Sequence, residues 1–136
     1  MQHVPDDINE VDLSAAENRT KAALLISRLF DLWQLDNNTR LNLLGMSETS
    51  RSVLSGYKQG TRPLPTSRDT LDRVGWLLAI HKALRLLYPR NPDMRYAWVS
   101  RRNDAFDNCA PIDVMQEQGL IGIARVARYL DHYRGL

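Results

Sequence analysis

Apolar residues recur along this chain at the spacing of an α-helix, and no stretch alternates strictly enough to predict a β-strand. In residues 14–33 the apolar positions form one stripe, which comprises Ala22, Leu25, Ile26, Leu29 and Trp33. Ser14 is followed three residues later by Glu17, the pattern of a capping box in which two side chains satisfy free backbone amides. We therefore expect a first amphipathic helix that begins at Ser14.

A second strongly apolar stretch, residues 67–88, predicts a helix that is buried around most of its circumference. Its core-facing candidates are Leu71, Val74, Leu77, Leu78, Ala83, Leu84 and Leu87. Ser67 is a suitable N-cap, Asp69 is favourably placed against the helix dipole, and Pro89 cannot continue the helix. We expect this helix to lie at the centre of the molecule.

Glycine and proline predict the ends of the other helices. Residues 37–44 form a short helix that Gly45 ends, while Pro92 and Pro111 each suit the first position of a further helix. Gly119 ends the helix that Pro111 begins. A last helix closes the chain, and its apolar side comprises Leu120, Ala124, Ala127, Leu130 and Tyr133. The predicted fold class is all-α.

Residues 43–60, "LLGMSETSRSVLSGYKQG", have the pattern of a helix-turn-helix, with a turn at Gly45–Ser47 and a second helix from about residue 48 to 58. Hydroxyl groups and cations at the start of such a helix suit contacts with bases and phosphates in a major groove. The DNA-binding candidates, all expected on its exposed face, are Glu48, Thr49, Ser50, Arg51, Ser52, Tyr57 and Lys58. Many proteins that do not bind DNA contain the same unit, so an ordinary packing role stays open.

Composition and length indicate a globular protein of about one domain: 136 residues, of which 43% are hydrophobic and 25% charged. No apolar run approaches the roughly 20 residues needed to cross a bilayer, and the acidic N-terminus does not resemble a signal peptide. The one cysteine, Cys109, cannot form an internal disulfide. We expect a cytoplasmic protein without a membrane partner.

The charges are unevenly distributed. Residues 1–17 contain five acids and no lysine or arginine, whereas residues 18–136 contain 18 basic and 11 acidic residues. Most of the basic residues are arginines, which make forked contacts with phosphate or carboxylate groups. Such an excess suits a nucleic-acid or acidic partner, but a solvated basic surface explains it equally well. Residues 1–12 are predicted to be a disordered acidic tail.

Isolated residue types do not predict a reaction or metal site. The three tryptophans lie in leucine-rich helices, where anchoring the core or an interface is the favoured role: Trp33, Trp76 and Trp98. The three histidines lie in separate segments without the spacing of a metal site, and the second and third are expected to be partly exposed: His3, His81 and His132. These patterns predict no cofactor, no metal and no enzymatic activity.

The stretch "FDNCAPIDVMQEQG", residues 106–119, combines acids, an amide and Cys109 in one loop and the following helix. The acids do not follow calcium-loop spacing, and the cysteine has neither a zinc-ligand neighbour nor an evident base. Asn108 tolerates the left-handed conformation of a tight turn, and Asp113 favours the helix start after Pro111. The stretch therefore predicts a shaped and capped turn rather than a reaction site.

The chain resembles the Xre/MbcA/ParS antitoxins over about residues 33–136. The resemblance rests on "WQLDNNTRLNLLGMS", "LDRVGWLLAIHKALRLLYP", "AWVSRRNDAFDNCAPIDVM" and "GLIGIARVARYLDHYRGL", in that order and at matching spacing. The C-terminal half carries the more specific features, which end with Tyr129-Leu130-Asp131. Glycines usual in the family are replaced by Asp107-Asn108, and a frequent serine cap is replaced by Ala110. These departures change the residue types that form the turn.

The resemblance implies a type II antitoxin that covers the active site of a NAD-depleting RES-domain toxin. It also implies an Xre-type helix-turn-helix domain, here residues 13–89, with which many members repress their own operon. We expect a homodimer, because palindromic operators mirror two-fold proteins. Residues 90–136 would be the toxin-binding domain. The candidates for toxin contact are Trp98, Arg101, Arg102, Asn103, Asp113, Arg125, Arg128, Tyr129, Arg134 and Gly135. A free-standing transcriptional regulator without a toxin partner is the alternative.

Overall fold

The structure, a computed structural model, describes residues 11–135. The helices in this range are α1 Ala16–Leu32, α2 Asn37–Leu44, α3 Val53–Gln59, α4 Arg68–Leu87, α5 Pro92–Ala97, α6 Pro111–Gln118 and α7 Leu120–Arg134. Short 3-10 helices span Glu48–Ser50, Trp98–Ser100 and Asp104–Phe106. Since no strand occurs in the described range, the all-α prediction is confirmed. Most of the predicted acidic tail, including His3, lies outside the described residues.

α1 begins one residue later than the capping box predicts. The carboxylate of Asp12 accepts hydrogen bonds from the amide (3.0 Å) and hydroxyl (2.6 Å) of Ser14, which lowers the pKa of Asp12. Ala15 takes the N-cap position without a side-chain hydrogen bond, and Glu17 pairs with Lys21. The capping-box prediction is wrong because a nearer carboxylate engages the serine in a turn before the helix.

The apolar stripe of α1 faces the core at every predicted position except one. Leu25 is 48% exposed, whereas Ala23 and Phe30, which were not assigned to the stripe, are buried with the other predicted residues. The face of α1 that meets the core is therefore rotated slightly from the predicted face, away from Leu25 and toward Ala23 and Phe30. Trp33 follows the helix and is buried, as expected for a core anchor.

α4 lies at the centre of the molecule, as predicted, and packs against α1, α2, α5 and α7. The hydroxyl of Ser67 caps it by accepting a hydrogen bond from the amide of Thr70 at 3.4 Å. Thr70, itself buried, donates its hydroxyl proton to the carbonyl of Leu44 at 3.0 Å and joins the start of α4 to the end of α2. The helix ends at Leu87, two residues before Pro89.

α7 buries a stripe that is displaced from the predicted one. Its buried residues are Gly122, Ile123, Val126, Ala127 and Leu130, while Leu120 and Ala124 are only partly buried and Tyr133 is 50% exposed. The assignment of Tyr133 to the apolar side is therefore wrong. Because a Cβ on Gly122 would lie 2.4 Å from the carbonyl oxygen of Val114, glycine at this position allows α6 and α7 to approach closely.

The helices of the described residues share one hydrophobic core. It runs from Ile26 and Phe30 of α1, through Leu77 and Leu84 of α4, to Leu130 of α7. The core therefore crosses the predicted boundary between residues 89 and 90 without interruption. Among the described residues, no helix is long and apolar enough to span a membrane.

Candidate functional site

Four aromatic side chains form a cluster where the loop after α5 meets α7: Trp98, Phe106, Tyr129 and Tyr133. The rings of Phe106 and Tyr129 meet edge to face, with their centroids 5.1 Å apart. Trp98 stacks on Tyr129 at 6.4 Å, and Tyr129 stacks on Tyr133 at 6.0 Å. Phe106 is buried, Trp98 and Tyr129 are half-buried and Tyr133 is exposed. The aromatic cluster thus extends from the core to the surface.

Residues 103–109, which position Phe106, form a closed turn. The backbone of Asn103 donates to the carbonyl of Cys109 at 3.1 Å and accepts from the amide of Asn108 at 3.1 Å. The side-chain oxygen of Asn103 also accepts from the amide of Ala105 at 2.9 Å. These bonds fix the backbone on both sides of Phe106 and hold its ring against α7.

The turn requires two consecutive left-handed residues. Asp107 has φ of 55° and Asn108 has φ of 62°. The prediction for Asn108 is confirmed, and Asp107 shares the conformation. Glycine adopts these angles without steric cost, while asparagine and aspartate are the other residue types most often found there. The replacement of two glycines therefore preserves the turn.

Two arginines of α7 lie over aromatic rings, one of them in the aromatic cluster. The guanidinium of Arg125 lies 5.3 Å from the ring centroid of Phe106, and that of Arg128 lies 5.8 Å from the ring centroid of Trp76 on α4. Both arginines are exposed, and with Ile121, which is 77% exposed, they form one outward stripe of α7. This surface combines cationic groups with apolar area, the composition typical of an interface centre.

The structure brings some of the predicted toxin-contact residues together. Trp98, Arg125 and Tyr129 all border Phe106, while Asn103 holds the turn through its hydrogen bonds. Arg134 lies at the end of α7, bound to Asp131 at 2.6 Å. The remaining candidates are placed separately: Arg101 and Arg102 are exposed before the turn, Asp113 is exposed in the first turn of α6, Arg128 lies over α4 and Gly135 follows α7.

Sequence patterns did not identify Phe106 or Tyr133 as members of the aromatic cluster. Phe106 adjoins a turn rather than a periodic stretch, and only the closed turn directs it against α7. Tyr133 was assigned to the apolar side of α7. The i, i+4 spacing of Tyr129 and Tyr133 was the available signal, since residues four apart lie together on a helix.

The helix-turn-helix region contains the predicted turn but a shorter second helix. Gly45 has φ of 73°, in the left-handed region, and Ser47 caps the following segment by accepting from the amide of Thr49 at 3.2 Å. Residues 48–50 form a 3-10 helix, and α3 begins only at Val53. The predicted start near residue 48 is therefore wrong. The short hydroxyl side chains favour local turn hydrogen bonds over a regular helix.

Most of the DNA-binding candidates are accessible, but they are spread over the 3-10 helix, the turn after it and α3. Glu48, Thr49, Arg51, Ser52 and Lys58 are exposed, and Ser50 is partly exposed. Tyr57 is buried in the core, and burial raises the pKa of its hydroxyl. The expectation that Tyr57 lies on the exposed face is wrong because α3 directs it toward α1.

A further cation lies on the outer face of α3. The side chain of Arg62 crosses Gly56, where an added Cβ would be 2.8 Å from the Cβ of Arg62. Gly56 and Ser52 are four residues apart and so face the same way. Arg62 was not among the candidates because the loop "GTRPLPTS" folds back along α3 only in the tertiary structure.

The remaining titratable groups provide no metal site. Among residues 11–135, no three His, Cys, Asp or Glu side chains lie close enough together to hold a metal ion. Cys109 is an exposed free thiol. His81 is partly buried and stacks on Tyr96 at 6.0 Å, and burial, with the nearby charges of Arg85 and Arg95, lowers its pKa from 6.5 to about 4.

Comparison with known proteins identifies the class of this chain. Residues 83–135 match the antitoxin Xre/MbcA/ParS C-terminal toxin-binding domain. This match covers the end of α4, the aromatic cluster and all of α7. The chain is also similar to the uncharacterized protein y4oB of Sinorhizobium fredii strain NBRC 101917 / NGR234, with 35% identity over 108 residues, 79% of this chain and 80% of that protein.

The chain belongs to the Xre/MbcA/ParS antitoxin family. Membership implies that it acts as an antitoxin and has a toxin partner. The resemblance recognised in the sequence is confirmed at this level.

Proposed function

We propose that the chain neutralises a NAD-depleting RES-domain toxin by covering the toxin's active site with α7 and the aromatic cluster. The observation that carries this proposal is the position of the cluster: it lies within residues 83–135, the part that matches a toxin-binding domain. Half-buried aromatic side chains bordered by arginine supply the largest binding energy per residue at protein interfaces. The binding surface therefore centres on Tyr129.

The arginines of this surface suit a toxin that binds a dinucleotide. A site for NAD is shaped for an anionic pyrophosphate, and a guanidinium can form paired hydrogen bonds with acidic groups at the rim of such a site. Arg134 is the candidate for entering the pocket, with Gly135 beside it. Its ion pair with Asp131 is exposed and therefore weak, so contact with the toxin can replace it at small cost.

Co-expression with the adjacent toxin gene tests this function. We expect the neighbouring open reading frame to encode a RES-domain protein whose expression stops growth and lowers cellular NAD. Wild-type antitoxin should restore both growth and NAD. A variant lacking residues 133–136 should fold, as judged by circular dichroism, but restore them poorly. Full protection by this truncated variant would exclude entry of the tail into the active site.

We also propose that the antitoxin binds its own operator as a homodimer through the helix-turn-helix. Supporting observations are the left-handed turn at Gly45, the cap at Ser47 and the exposed cations Arg51, Lys58 and Arg62. The proposed contact residues are Glu48, Thr49, Ser50, Arg51, Ser52 and Lys58, with Arg62 in place of the buried Tyr57. A two-fold dimer matches a palindromic operator.

Association with the toxin, rather than operator binding, separates this proposal from the alternative of a free-standing regulator. An antitoxin that regulates its own operon should bind a duplex from its own promoter region, and the toxin should also co-purify with it from cells. A free-standing regulator would bind the duplex but recover no toxin. Light scattering of the purified protein gives the oligomeric state, and a monomer at micromolar concentration would contradict the proposed dimer.

A further inference from the structure

Two guanidinium groups of α7 lie over aromatic rings that belong to other parts of the chain. Arg125 lies 5.3 Å from the ring centroid of Phe106, in the turn before α6, and Arg128 lies 5.8 Å from the ring centroid of Trp76, on α4. Among residues 11–135, neither arginine forms an ion pair. A guanidinium that lies over a ring still has N–H groups at its edge with which it can bind a carboxylate. Both arginines are therefore oriented by a ring, while their charges are not neutralised within the described structure.

The outward stripe of α7 lies between these two rings. Ile121, Arg125 and Arg128 recur at intervals of four and three residues, and all three are exposed. The side chain of Arg125 reaches the aromatic cluster, and that of Arg128 reaches Trp76 on α4, the helix against which α7 packs. A partner that covers the stripe therefore meets the aromatic cluster on one side and Trp76 on the other.

Trp76 differs from a core tryptophan in its exposure. It is only half-buried, whereas Trp33 is 3% exposed and anchors the core. Tryptophan and arginine are among the residue types that contribute most of the binding energy at protein interfaces. Trp76 lies outside residues 83–135, the range that matches the toxin-binding domain. A surface with the composition of an interface thus extends beyond that range onto α4.

We propose that Trp76 is a second anchor for the toxin and that it positions Arg128 to bind an acidic group of the toxin. The inference rests on the proposed function, in which α7 covers the toxin, and it adds α4 to the binding surface. Continuity identifies the partner, because Arg128 belongs to the toxin-binding domain and its guanidinium lies over Trp76. The complementary toxin surface has carboxylates for the two arginines and an apolar contact for Ile121.

Substitutions at Trp76 in the full chain test this anchor, with toxin affinity measured by titration calorimetry. Trp76→Leu keeps an apolar side chain on α4 but removes the ring, and should weaken toxin binding by about 10- to 30-fold. Trp76→Phe keeps a ring for Arg128 and should weaken binding by less than about threefold. Urea denaturation establishes that each variant is folded. Wild-type affinity in folded Trp76→Leu would overturn the inference.

Leu78→Ala is the control for a loss of stability in α4. Leu78 is also partly buried, but it lies two residues further along the helix and so points roughly 200° away from Trp76. This variant should bind the toxin within about twofold of wild type. If Leu78→Ala weakens binding as much as Trp76→Leu does, the inference is overturned, because damage to α4 would then be the cause.

A double-mutant cycle tests whether Trp76 positions Arg128. Arg128→Gln removes the cation, so Trp76→Leu in that background should weaken toxin binding by a further factor of less than about three. A smaller loss than in the wild-type background shows that the two side chains act together. The same loss in both backgrounds would overturn the positioning role of Trp76.

Fluorine spectra of the full chain labelled with fluorotryptophan locate the contact directly. Each of the three tryptophans gives one signal, which its phenylalanine variant assigns. Toxin should shift the signals of Trp76 and Trp98 and leave that of buried Trp33 unchanged. A shift at Trp98 without one at Trp76 would overturn the inference and leave the proposed function intact. If the wild-type protein binds no toxin by calorimetry and no signal shifts, the proposed function fails and the inference fails with it.

Discussion

The two ends of this antitoxin present surfaces that are built differently. Around Tyr129, side chains from the turn and α7 converge on one aromatic cluster that begins in the core. Around α3, the exposed candidates are spread over a turn, a short helix and a loop, and the one aromatic residue, Tyr57, is buried beneath them. Binding energy at the first surface should therefore be concentrated in a few residues, whereas at the second it should be distributed over several charges.

The largest expected effect is from truncating the centre of the aromatic cluster. Tyr129→Ala removes the ring that contacts Trp98, Phe106 and Tyr133, and should weaken toxin binding by about 100-fold or more, as expected for a hot spot. Tyr129→Phe keeps the ring and is the matched control, with a change of less than about tenfold. Titration calorimetry with the purified toxin measures both. Wild-type affinity in Tyr129→Ala would remove the cluster from the interface.

Next in size is the effect of disturbing the close packing of α6 against α7. Gly122→Ala places a Cβ against the carbonyl of Val114 and should lower the free energy of unfolding by about 1–3 kcal/mol. In Gly135→Ala the nearest atom is at 3.4 Å, so this control should change stability by less than about 0.5 kcal/mol. Urea denaturation compares the two. Similar stability of both variants would show that α6 and α7 can move apart without a loss in the free energy of unfolding.

Removing charges from the N-terminal surface should have a graded effect. Arg51→Ala with Lys58→Ala should weaken operator binding by about tenfold and reduce the salt slope by about 2, because two phosphate contacts are lost. Toxin affinity should stay within about twofold of wild type. The matched control Lys82→Ala with Arg90→Ala removes two charges elsewhere. An unchanged operator affinity in the first variant would place the recognition surface on other residues.

His81 gives a smaller, pH-dependent effect at the junction of α4 and α5. Its folded-state pKa of about 4 lies below its ordinary value of 6.5, so the unfolded chain binds the proton more readily between these values. The stabilising contribution is fully present above pH 6.5 and is lost as pH falls toward 4. His81→Phe keeps a ring against Tyr96 and should lose less stability than wild type between pH 7 and 4.5. If urea denaturation shows that wild type and His81→Phe lose the same free energy of unfolding over this pH range, the linkage is contradicted.

The smallest effect should come from restoring the family's glycine in the turn. Asn108 already tolerates φ of 62°, so Asn108→Gly should change stability by less than about 0.5 kcal/mol. Asn108→Val should cost about 1–3 kcal/mol, because a β-branched residue is strained at this angle. Thermal melts followed by circular dichroism distinguish the two. If valine is as stable as glycine, the left-handed conformation is not required there.

Local sequence patterns predicted the helix ends that depend only on neighbouring residues. Ser67 and Pro89 mark the two ends of α4 and Pro92 marks the start of α5, as expected, and Asn91 caps α5 by accepting from the amide of Met94 at 3.1 Å. Local competition produced errors at Ser14, which Asp12 engages, and at residues 48–52, where hydroxyl side chains favour tight turns. Periodicity alone could not distinguish these outcomes from a regular helix start.

Tertiary contacts determined what the sequence could not predict. The orientation of Phe106 depends on hydrogen bonds between Asn103 and Cys109, and the position of Arg62 depends on Gly56 leaving room for it. The burial of Tyr57 follows from the packing of α3 against α1. Recognition of the family indicated which half binds the toxin, but the aromatic cluster that we place at the centre of that surface became evident only from the fold.

The most direct test of the account is rescue of growth from the adjacent RES-domain toxin by three forms of the antitoxin. The account predicts that wild type and the Arg51→Ala, Lys58→Ala variant restore growth and cellular NAD equally, whereas Tyr129→Ala, produced at the same level, does not. Restoration by Tyr129→Ala, or failure of the wild-type protein to bind and neutralise that toxin, would contradict it.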